Sequence, residues 1–304
     1  MKTLMQDDSR ASPRMPFRLP DVTCVSQVRL RTADLARSLD FYQRAIGLKS
    51  RQRGQSEGSL SATNGGPPLV VFAEDPNAAQ LPERAIGLYH FAIRYPARRD
   101  LADAFRRIMA AECPIPGAAD HGVAESIYLN DADGNGVELY YDRPRSQWPM
   151  RQGRLQNVTR PLDFHSLLAT SGGGPIPPGV PEQTDIGHIN LHVADLTEAE
   201  EFFHEYLGLE VMARAGDSAS FLATGGYHHH VAVNTWSGET PPPQDAVGLI
   251  SYRLAVPDAQ ILAKLLRRAD SFGHEARMDG YILQVRDPNG CWLELTAGEP
   301  LKPV

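Results

Sequence analysis

The chain has 304 residues, which is long enough for two domains of ordinary size, each with its own hydrophobic core. Apolar residues make up 42% of the chain and charged residues 22%, as is typical of a globular protein, and the net charge of −7 argues against nucleic acid as a partner. Three scattered cysteines are too few for a disulfide framework, and no apolar run is long enough to span a membrane, so the sequence predicts a cytoplasmic protein without membrane contact.

Residues 1–20 lack the apolar core of a signal peptide, and we expect them to form a flexible tail. Residues 25–32, VSQVRLRT, follow as a strand. Asp34 can cap a helix over 35–47, because its carboxylate can accept hydrogen bonds from free backbone N–H groups, and Gly47 suits the left-handed position after the helix. The elements predicted next are a strand at 68–74 (PLVVFAE), a strand at 87–94 (GLYHFAIR), a helix at 97–112, and two strands at 125–130 (ESIYLN) and 136–141 (GVELYY).

The sequence repeats itself over long distances. Segment 25–48 matches segment 186–209 at an offset of 161 residues, and each half of the chain contains a shorter repeat of 63 residues. The chain therefore consists of four units, and each unit is predicted to contain a strand, a helix and several further strands. We expect two domains, 21–142 and 184–298, with two βαβββ modules each, joined by a Gly/Pro-rich linker at 143–183.

The stretch HGVAESIYLNDADGNGVE places His121, Tyr128 and Glu138 around an acidic, glycine-rich turn. It resembles the signature of the type I extradiol (catechol) dioxygenases, in which a His, a Tyr and a Glu have this spacing, although Ala132 stands where that signature has a proline. The resemblance implies that Glu138 is an iron ligand and that His121 and Tyr128 line the pocket. The alternatives that the residues leave open are a surface-loop role for His121 and a core role for Tyr128.

The four modules together resemble the vicinal oxygen chelate superfamily, which includes glyoxalase I, the bleomycin-resistance proteins and the extradiol dioxygenases. The resemblance implies an α+β fold in which four βαβββ modules form two curved mixed sheets that cup a metal site. It also implies that ligands come from the first and last strands of each module. The residues at these positions are Gln27, His90, His188 and Ser251 on the first strands, and Glu138, His228–His230 and Glu294 at the last strands.

The distribution of these residues favours one pairing of the modules. His90, His188 and Glu138 make up the set of two imidazoles and one carboxylate that is typical of non-haem Fe(II) oxygenases, but only if modules 2 and 3 share a sheet. Pairing in chain order stays open from the sequence, and it would place His188 with Glu294 instead. We expect Glu294 to be a structural relic or a pocket-lining residue.

The segment GGYHHHVAVN resembles the family's Arg-His-His-Thr strand, in which the second His acts as an acid and base close to bound oxygen. The resemblance implies this catalytic role for His229. On a strand, alternation would turn His228 and His230 to the opposite face.

We therefore predict a dioxygenase that cleaves catechol or a substituted catechol with O₂ and uses Fe²⁺, with Mn²⁺ or another divalent metal left open. Three protein ligands leave positions for both reactants, and His can move a proton in either direction near neutral pH. Two alternatives remain on the same fold: another metal enzyme, such as a glyoxalase-like isomerase or a thiol transferase, and a non-catalytic protein that binds a small aromatic compound. The sequence also leaves open a homo-oligomer.

Overall fold

The computed structural model describes residues 16–298, which form four consecutive βαβββ modules and a connector between the second and the third. Module 1 contains β1 (Cys24–Thr32), α1 (Leu35–Phe41), β2 (Lys49–Arg53), β3 (Glu57–Ser61) and β4 (Val70–Glu74). Module 2 contains β5 (Gly87–Tyr95), α2 (Arg98–Ala110), β6 (Gly117–Asp120), β7 (Ala124–Asn130) and β8 (Gly136–Asp142). The connector contains a 3₁₀ turn (Arg145–Gln147), β9 (Met150–Arg151), β10 (Arg154–Leu155), β11 (Arg160–Pro161) and α3 (Phe164–Leu168). Module 3 contains β12 (Asp185–His192), α4 (Leu196–Glu200), β13 (Glu210–Ala215), β14 (Ala219–Ala223) and β15 (Val231–Asn234). Module 4 contains β16 (Gly248–Val256), α5 (Ala259–Phe272), β17 (Ala276–Asp279), β18 (Ile282–Arg286) and β19 (Trp292–Ala297).

The first helix begins and ends at the residues that its sequence indicates. The Asp34 carboxylate accepts a hydrogen bond from the backbone N–H of Arg37 at 2.9 Å, which satisfies one of the free donors of the first turn. The helix continues as a wider π-helical turn over Tyr42–Ile46 and ends at Gly47, whose φ of +94° is accessible to glycine without strain.

Strand pairing joins modules that are not adjacent in the chain. One sheet has eight strands in the order β17-β18-β19-β16-β1-β4-β3-β2, so it combines modules 1 and 4. The other has nine strands in the order β11-β6-β7-β8-β5-β12-β15-β14-β13, so it combines modules 2 and 3, with β11 of the connector at its edge. At each centre, the first strands of two modules pair antiparallel, β1 with β16 and β5 with β12. The predicted α+β class with two curved mixed sheets is confirmed, and strand pairing links the two predicted domains in both sheets.

The predicted tail and linker contain ordered contacts where the structure describes them. Residues 1–15 of the expected tail lie outside the described residues, whereas Phe17 and Leu19 are buried in the core, 6% and 3% exposed. The connector is also more regular than the composition of residues 143–183 predicts, since it contributes strands and a helix. Among residues 16–298, no helix has both the length and the apolar character needed to cross a bilayer.

Alternation along the strands separates a core face from a pocket face. On β5, Phe91 and Ile93 point into the main hydrophobic core, and the residues between them point to the opposite face. On β8, Val137 and Leu139 face the same core, so Glu138 must face away from it. His90 and Glu138 therefore lie on the same face of the nine-stranded sheet, opposite to the core.

Candidate functional site

A single row of register partners crosses four strands of the nine-stranded sheet. Tyr128 on β7 pairs with Glu138 on β8, Glu138 pairs with Ala92 on β5, and Ala92 pairs with His188 on β12. His90 lies two residues before Ala92 on the same face of β5. Because Ala92 has only a methyl group, the side chains on either side of it can meet above the sheet.

The three predicted ligands meet at one point of this face. The Nε2 atoms of His90 and His188 lie 2.9 and 3.1 Å from Oε2 of Glu138, and they lie 3.4 Å from each other. The three residues are buried, with exposed fractions of 5% or less. The second carboxylate oxygen of Glu138 accepts a hydrogen bond of 2.6 Å from the Ser126 hydroxyl, which leaves Oε2 free to face the histidines.

The electrostatics of this cluster favour an ionised Glu138 and a neutral His188. Burial by itself would raise the pKa of Glu138, but His188 and His90 outweigh burial and hold that pKa well below its usual value. Burial lowers the pKa of His188 to about 4, against the opposing influence of Glu138. An ionised carboxylate beside unprotonated imidazole is the protonation state that metal ligands require.

The spacing of these donor atoms fits one divalent cation. Donors about 2.0–2.2 Å from a common metal are about 2.8–3.1 Å apart at right angles and about 3.3–3.6 Å apart at tetrahedral angles. The measured separations of 2.9–3.4 Å fall between these limits. The buried Nδ1 atoms of both histidines have no hydrogen-bond partner among the described residues, so no contact there opposes the tautomer with an Nε2 lone pair.

The equivalent row of the eight-stranded sheet is filled by an ion pair. Glu294 on β19 pairs with Arg253 on β16, and Arg253 pairs with Gln27 on β1. The Arg253 guanidinium takes the place that Ala92 leaves open, and its Nη2 lies 2.7 Å from the Glu294 carboxylate. Glu294 therefore has a positive partner already, and the other two positions carry amide and hydroxyl groups instead of imidazoles.

His121 and Tyr128 form a hydrogen-bonded pair at one wall of the pocket. Nε2 of His121 lies 2.8 Å from the Tyr128 hydroxyl, and the other ring nitrogen lies 3.3 Å from the carbonyl oxygen of Val158. Burial, reinforced by Glu138, raises the pKa of Tyr128 well above its usual value. The phenol therefore keeps its proton at neutral pH and can act as a donor.

The histidine run 228–230 is not part of a strand, which corrects the expected orientation of its members. The run forms a bend, and β15 begins only at Val231, so side-chain alternation does not apply to it. His228 does not face away from His229: their Nδ1 atoms are 2.8 Å apart, and both residues line the pocket. His230 is buried elsewhere, where its Nδ1 accepts a hydrogen bond from the backbone of Thr224.

His229 packs against the cluster without joining it. Its ring centroid is 4.1 Å from that of His188 and 5.2 Å from that of Phe221. Burial lowers the pKa of His229 well below its usual value, and the neighbouring histidines add to the effect. His229 is therefore neutral near pH 7 and can accept a proton.

One cavity of about 460 Å³, a volume within the range of small-molecule sites, is bordered by the three clustered residues together with His121, Tyr128, His228 and His229. Apart from the cluster, its walls are mostly aromatic or apolar, and the exposed rings of Tyr89 and Trp236 stand at its mouth with centroids 6.0 Å apart. A larger cavity of about 920 Å³ lies elsewhere, and none of the three clustered residues lines it.

Sequence reasoning missed two polar residues of this region, Ser126 and Asp142. Ser126 lies two residues before Tyr128 on β7, and Asp142 lies four residues after Glu138 on β8. Both therefore share a face with a residue that the sequence singles out, and period-two alternation was the signal that could have found them. His228 was missed as a pocket residue because the run was interpreted as a strand.

Comparison with known proteins identifies the class to which this fold and site belong. The model of the Glyoxalase/Bleomycin resistance protein/Dioxygenase superfamily matches residues 25–139 and 185–295, and the chain belongs to this superfamily.

Within the superfamily, the chain is 38% identical over 271 residues to a catechol-2,3-dioxygenase of Bacillus subtilis (strain 168), an alignment that covers 88% of this chain and 94% of the relative. A solved structure of a putative dioxygenase from Bacillus subtilis has a TM-score of 0.65 at 13% identity, over 93% of this chain and 87% of the other. Glyoxalase I from Zea mays has a TM-score of 0.56 at 15% identity, over 90% and 92% of the two chains. These two likenesses establish the fold, and the sequence relationship supports an enzyme of the dioxygenase type.

Proposed function

We propose that the protein is an Fe(II)-dependent extradiol dioxygenase that cleaves the ring of catechol or a substituted catechol with O₂. The observation that carries the proposal is the convergence of His90, His188 and Glu138 within 3.4 Å of one another, inside a cavity large enough for an aromatic substrate. The 38% identity with a catechol-2,3-dioxygenase over most of both chains supports it.

His90, His188 and Glu138 would hold the metal through Nε2, Nε2 and Oε2. Two imidazoles and one carboxylate on a single face are the donor set of non-haem Fe(II) oxygenases, and they leave positions open for other ligands. When bound, Fe²⁺ would acidify the catechol hydroxyls and hold both reactants side by side. Ser126 fixes which oxygen of Glu138 faces the centre, since its hydroxyl occupies the other one.

Two groups of the pocket suit proton transfer in opposite directions. His229, neutral because burial lowers its pKa, would accept a proton from a substrate hydroxyl. Tyr128, whose raised pKa keeps the phenol protonated, would donate a hydrogen bond toward the substrate when Nε2 of His121, 2.8 Å from its hydroxyl, carries a proton and donates to it. The apolar walls would exclude water from the reacting ring.

The direct test is reconstitution of the purified protein with Fe²⁺ under anaerobic conditions, followed by addition of catechol in air. We expect one bound iron per chain, O₂ consumption, and a yellow ring-cleavage product. Iron binding without O₂ consumption would refute the dioxygenase proposal and favour another metal enzyme of the fold. Binding of catechol without any bound metal would favour a non-catalytic binder.

A further inference from the structure

Behind His229, a series of hydrogen bonds leads away from the pocket to the half-buried carboxylate of Asp142. The Nδ1 atoms of His229 and His228 are 2.8 Å apart, and Nε2 of His228 lies 2.8 Å from Oδ1 of Asp142. Asp142 is the last residue of β8, and both histidines belong to the bend before β15, so the chain of contacts connects modules 2 and 3.

Asp142 is fixed in place as a carboxylate. Its Oδ2 accepts hydrogen bonds from the Tyr227 hydroxyl at 2.8 Å and from the Arg94 guanidinium at 3.3 Å, while Oδ1 faces His228. Tyr140 donates in turn to the Tyr227 hydroxyl at 2.7 Å, because the proton of Tyr227 is used on Asp142. Burial would raise the pKa of Asp142, but His228, Arg94 and Tyr227 together hold it below its usual value.

These partners determine where the protons of the two imidazoles lie. A carboxylate can only accept, so Nε2 of His228 must carry a proton. A neutral imidazole has one N–H, so Nδ1 of His228 has a lone pair and can only accept. The contact with His229 then requires the proton to be on Nδ1 of His229. The lone pair of His229 is left on Nε2, the ring nitrogen that is not used in this chain.

We infer that Asp142 and His228 are positioning residues that hold His229 in the tautomer with a basic Nε2, so that it can take a proton from the substrate. The inference rests on the proposed function only for the identity of that substrate. Neither residue touches the reacting atoms, and both act through His229.

The decisive variant is Asp142→Asn. It keeps the shape of the side chain and reverses the donor and acceptor roles in the hydrogen bonds that join residue 142, His228 and His229. The amide oxygen can keep the contacts with Arg94 and Tyr227, and the amide NH₂ then faces His228. His228 must accept at Nε2 and carry its proton on Nδ1, which forces His229 to accept at Nδ1 and to carry its proton on Nε2. In serine proteases, the same exchange behind a catalytic His lowers kcat by roughly 10⁴-fold through the wrong tautomer.

We expect Asp142→Asn to lower kcat by about 10²–10⁴-fold while the KM for catechol and the iron content stay within about threefold of the parent. The matched control is His228→Gln. Its amide can donate to Asp142 and accept from His229, as the imidazole does, so it should keep kcat within about tenfold of the parent. His228→Leu breaks the chain and should resemble Asp142→Asn. A normal kcat in Asp142→Asn, or equal losses in His228→Gln and His228→Leu, would overturn the inference.

A second measurement does not depend on turnover. Nitrogen-15 NMR of histidine-labelled full-length protein, loaded with diamagnetic Zn²⁺, distinguishes protonated from unprotonated ring nitrogens. The signals of His229 are identified by their loss in His229→Gln. The inference requires protonated Nδ1 in the parent and protonated Nε2 in Asp142→Asn. An unchanged tautomer in the variant would refute it, whereas a parent protein with the expected tautomer but no activity toward catechol would count against the proposed function alone.

Discussion

Replacing Ser126 by Ala removes the hydroxyl that holds Glu138 in place and leaves the proposed ligands themselves intact. Ser126 is fully buried on β7, and its Oγ lies 2.6 Å from Oε1 of Glu138. Alanine fits the same space, so packing around the site should change little. The carboxylate would lose its one hydroxyl donor and could rotate, so that Oε2 no longer faces His90 and His188.

The expected size of the effect follows from the burial of both groups. A hydrogen bond to a charged acceptor contributes about 1.5–3 kcal/mol when it is buried. Loss of a partner that orients a metal ligand typically weakens metal binding by about 10–100-fold, which corresponds to about 1.4–2.8 kcal/mol. The two estimates agree, and we expect Ser126→Ala to raise the dissociation constant of the metal by about 10–100-fold.

The assay is an anaerobic titration of the metal-free protein with Fe²⁺ in competition with a chromophoric chelator. The matched control is Ser220→Ala, because Ser220 is equally buried on β14 and donates to a carboxylate, that of Glu200, outside the pocket. Ser220→Ala should leave metal affinity unchanged. If Ser126→Ala binds Fe²⁺ as tightly as the parent, or if both variants lose affinity equally, the argument that Ser126 orients a ligand is wrong.

Three further predictions follow from the same geometry. Glu138→Ala should abolish stoichiometric metal binding, measured by elemental analysis, whereas Glu294→Ala should keep it, because the partner of Glu294 is an arginine. Equal losses of bound metal in the two variants would contradict the ligand assignment. Replacing His229 or His121 by Gln should lower kcat by about 10²–10⁴-fold in steady-state assays with little change in bound iron, since both lie beside the proposed ligands; loss of the iron would show that the residue is a ligand. Burial lowers the pKa of His230 to about 3, against about 6.5 in the unfolded chain. Between these two pH values the unfolded state binds one more proton than the folded state. The free energy of unfolding therefore falls as the pH drops below about 6.5. At pH 5 this group alone should destabilise the fold by about 2 kcal/mol. In urea unfolding, the stability of His230→Gln should therefore depend less on pH between pH 7 and 5 than that of the parent. If both proteins show the same dependence of stability on pH, the imidazole is not buried in its neutral form.

The conformation of the histidine run shows where local sequence patterns stop being informative. His228, His229 and His230 come directly before β15, and the strand-like sequence of that segment extends naturally into them. In the structure they form a bend, and each of the three side chains has a different environment. His228 contacts Asp142, His229 lines the pocket, and His230 accepts a hydrogen bond from the backbone of Thr224. Two of these partners are more than five residues away or lie in another module, and no local pattern encodes them.

The sequence by itself determined the modules and the side chains on each strand face. Helix and strand periods depend on neighbouring residues, so Asp34 and Gly47 mark a helix, and alternation sets Glu138 opposite to the core. The recurrence of one pattern four times determined the α+β class. The excess of ligand residues in modules 2 and 3 favoured their pairing but did not require it.

Only the tertiary structure decided which strands meet, because strand pairing joins residues far apart in the chain. The register of β5 against β12 brings His90 and His188 together across 98 residues, and the register of β5 against β8 adds Glu138. The same architecture in the other sheet gives an ion pair instead, since Arg253 occupies the position of Ala92. Side-chain identity at each position is written in the sequence, but the distance between two such side chains depends on the packing of the whole chain, and it is that distance that separates a candidate metal centre from a salt bridge.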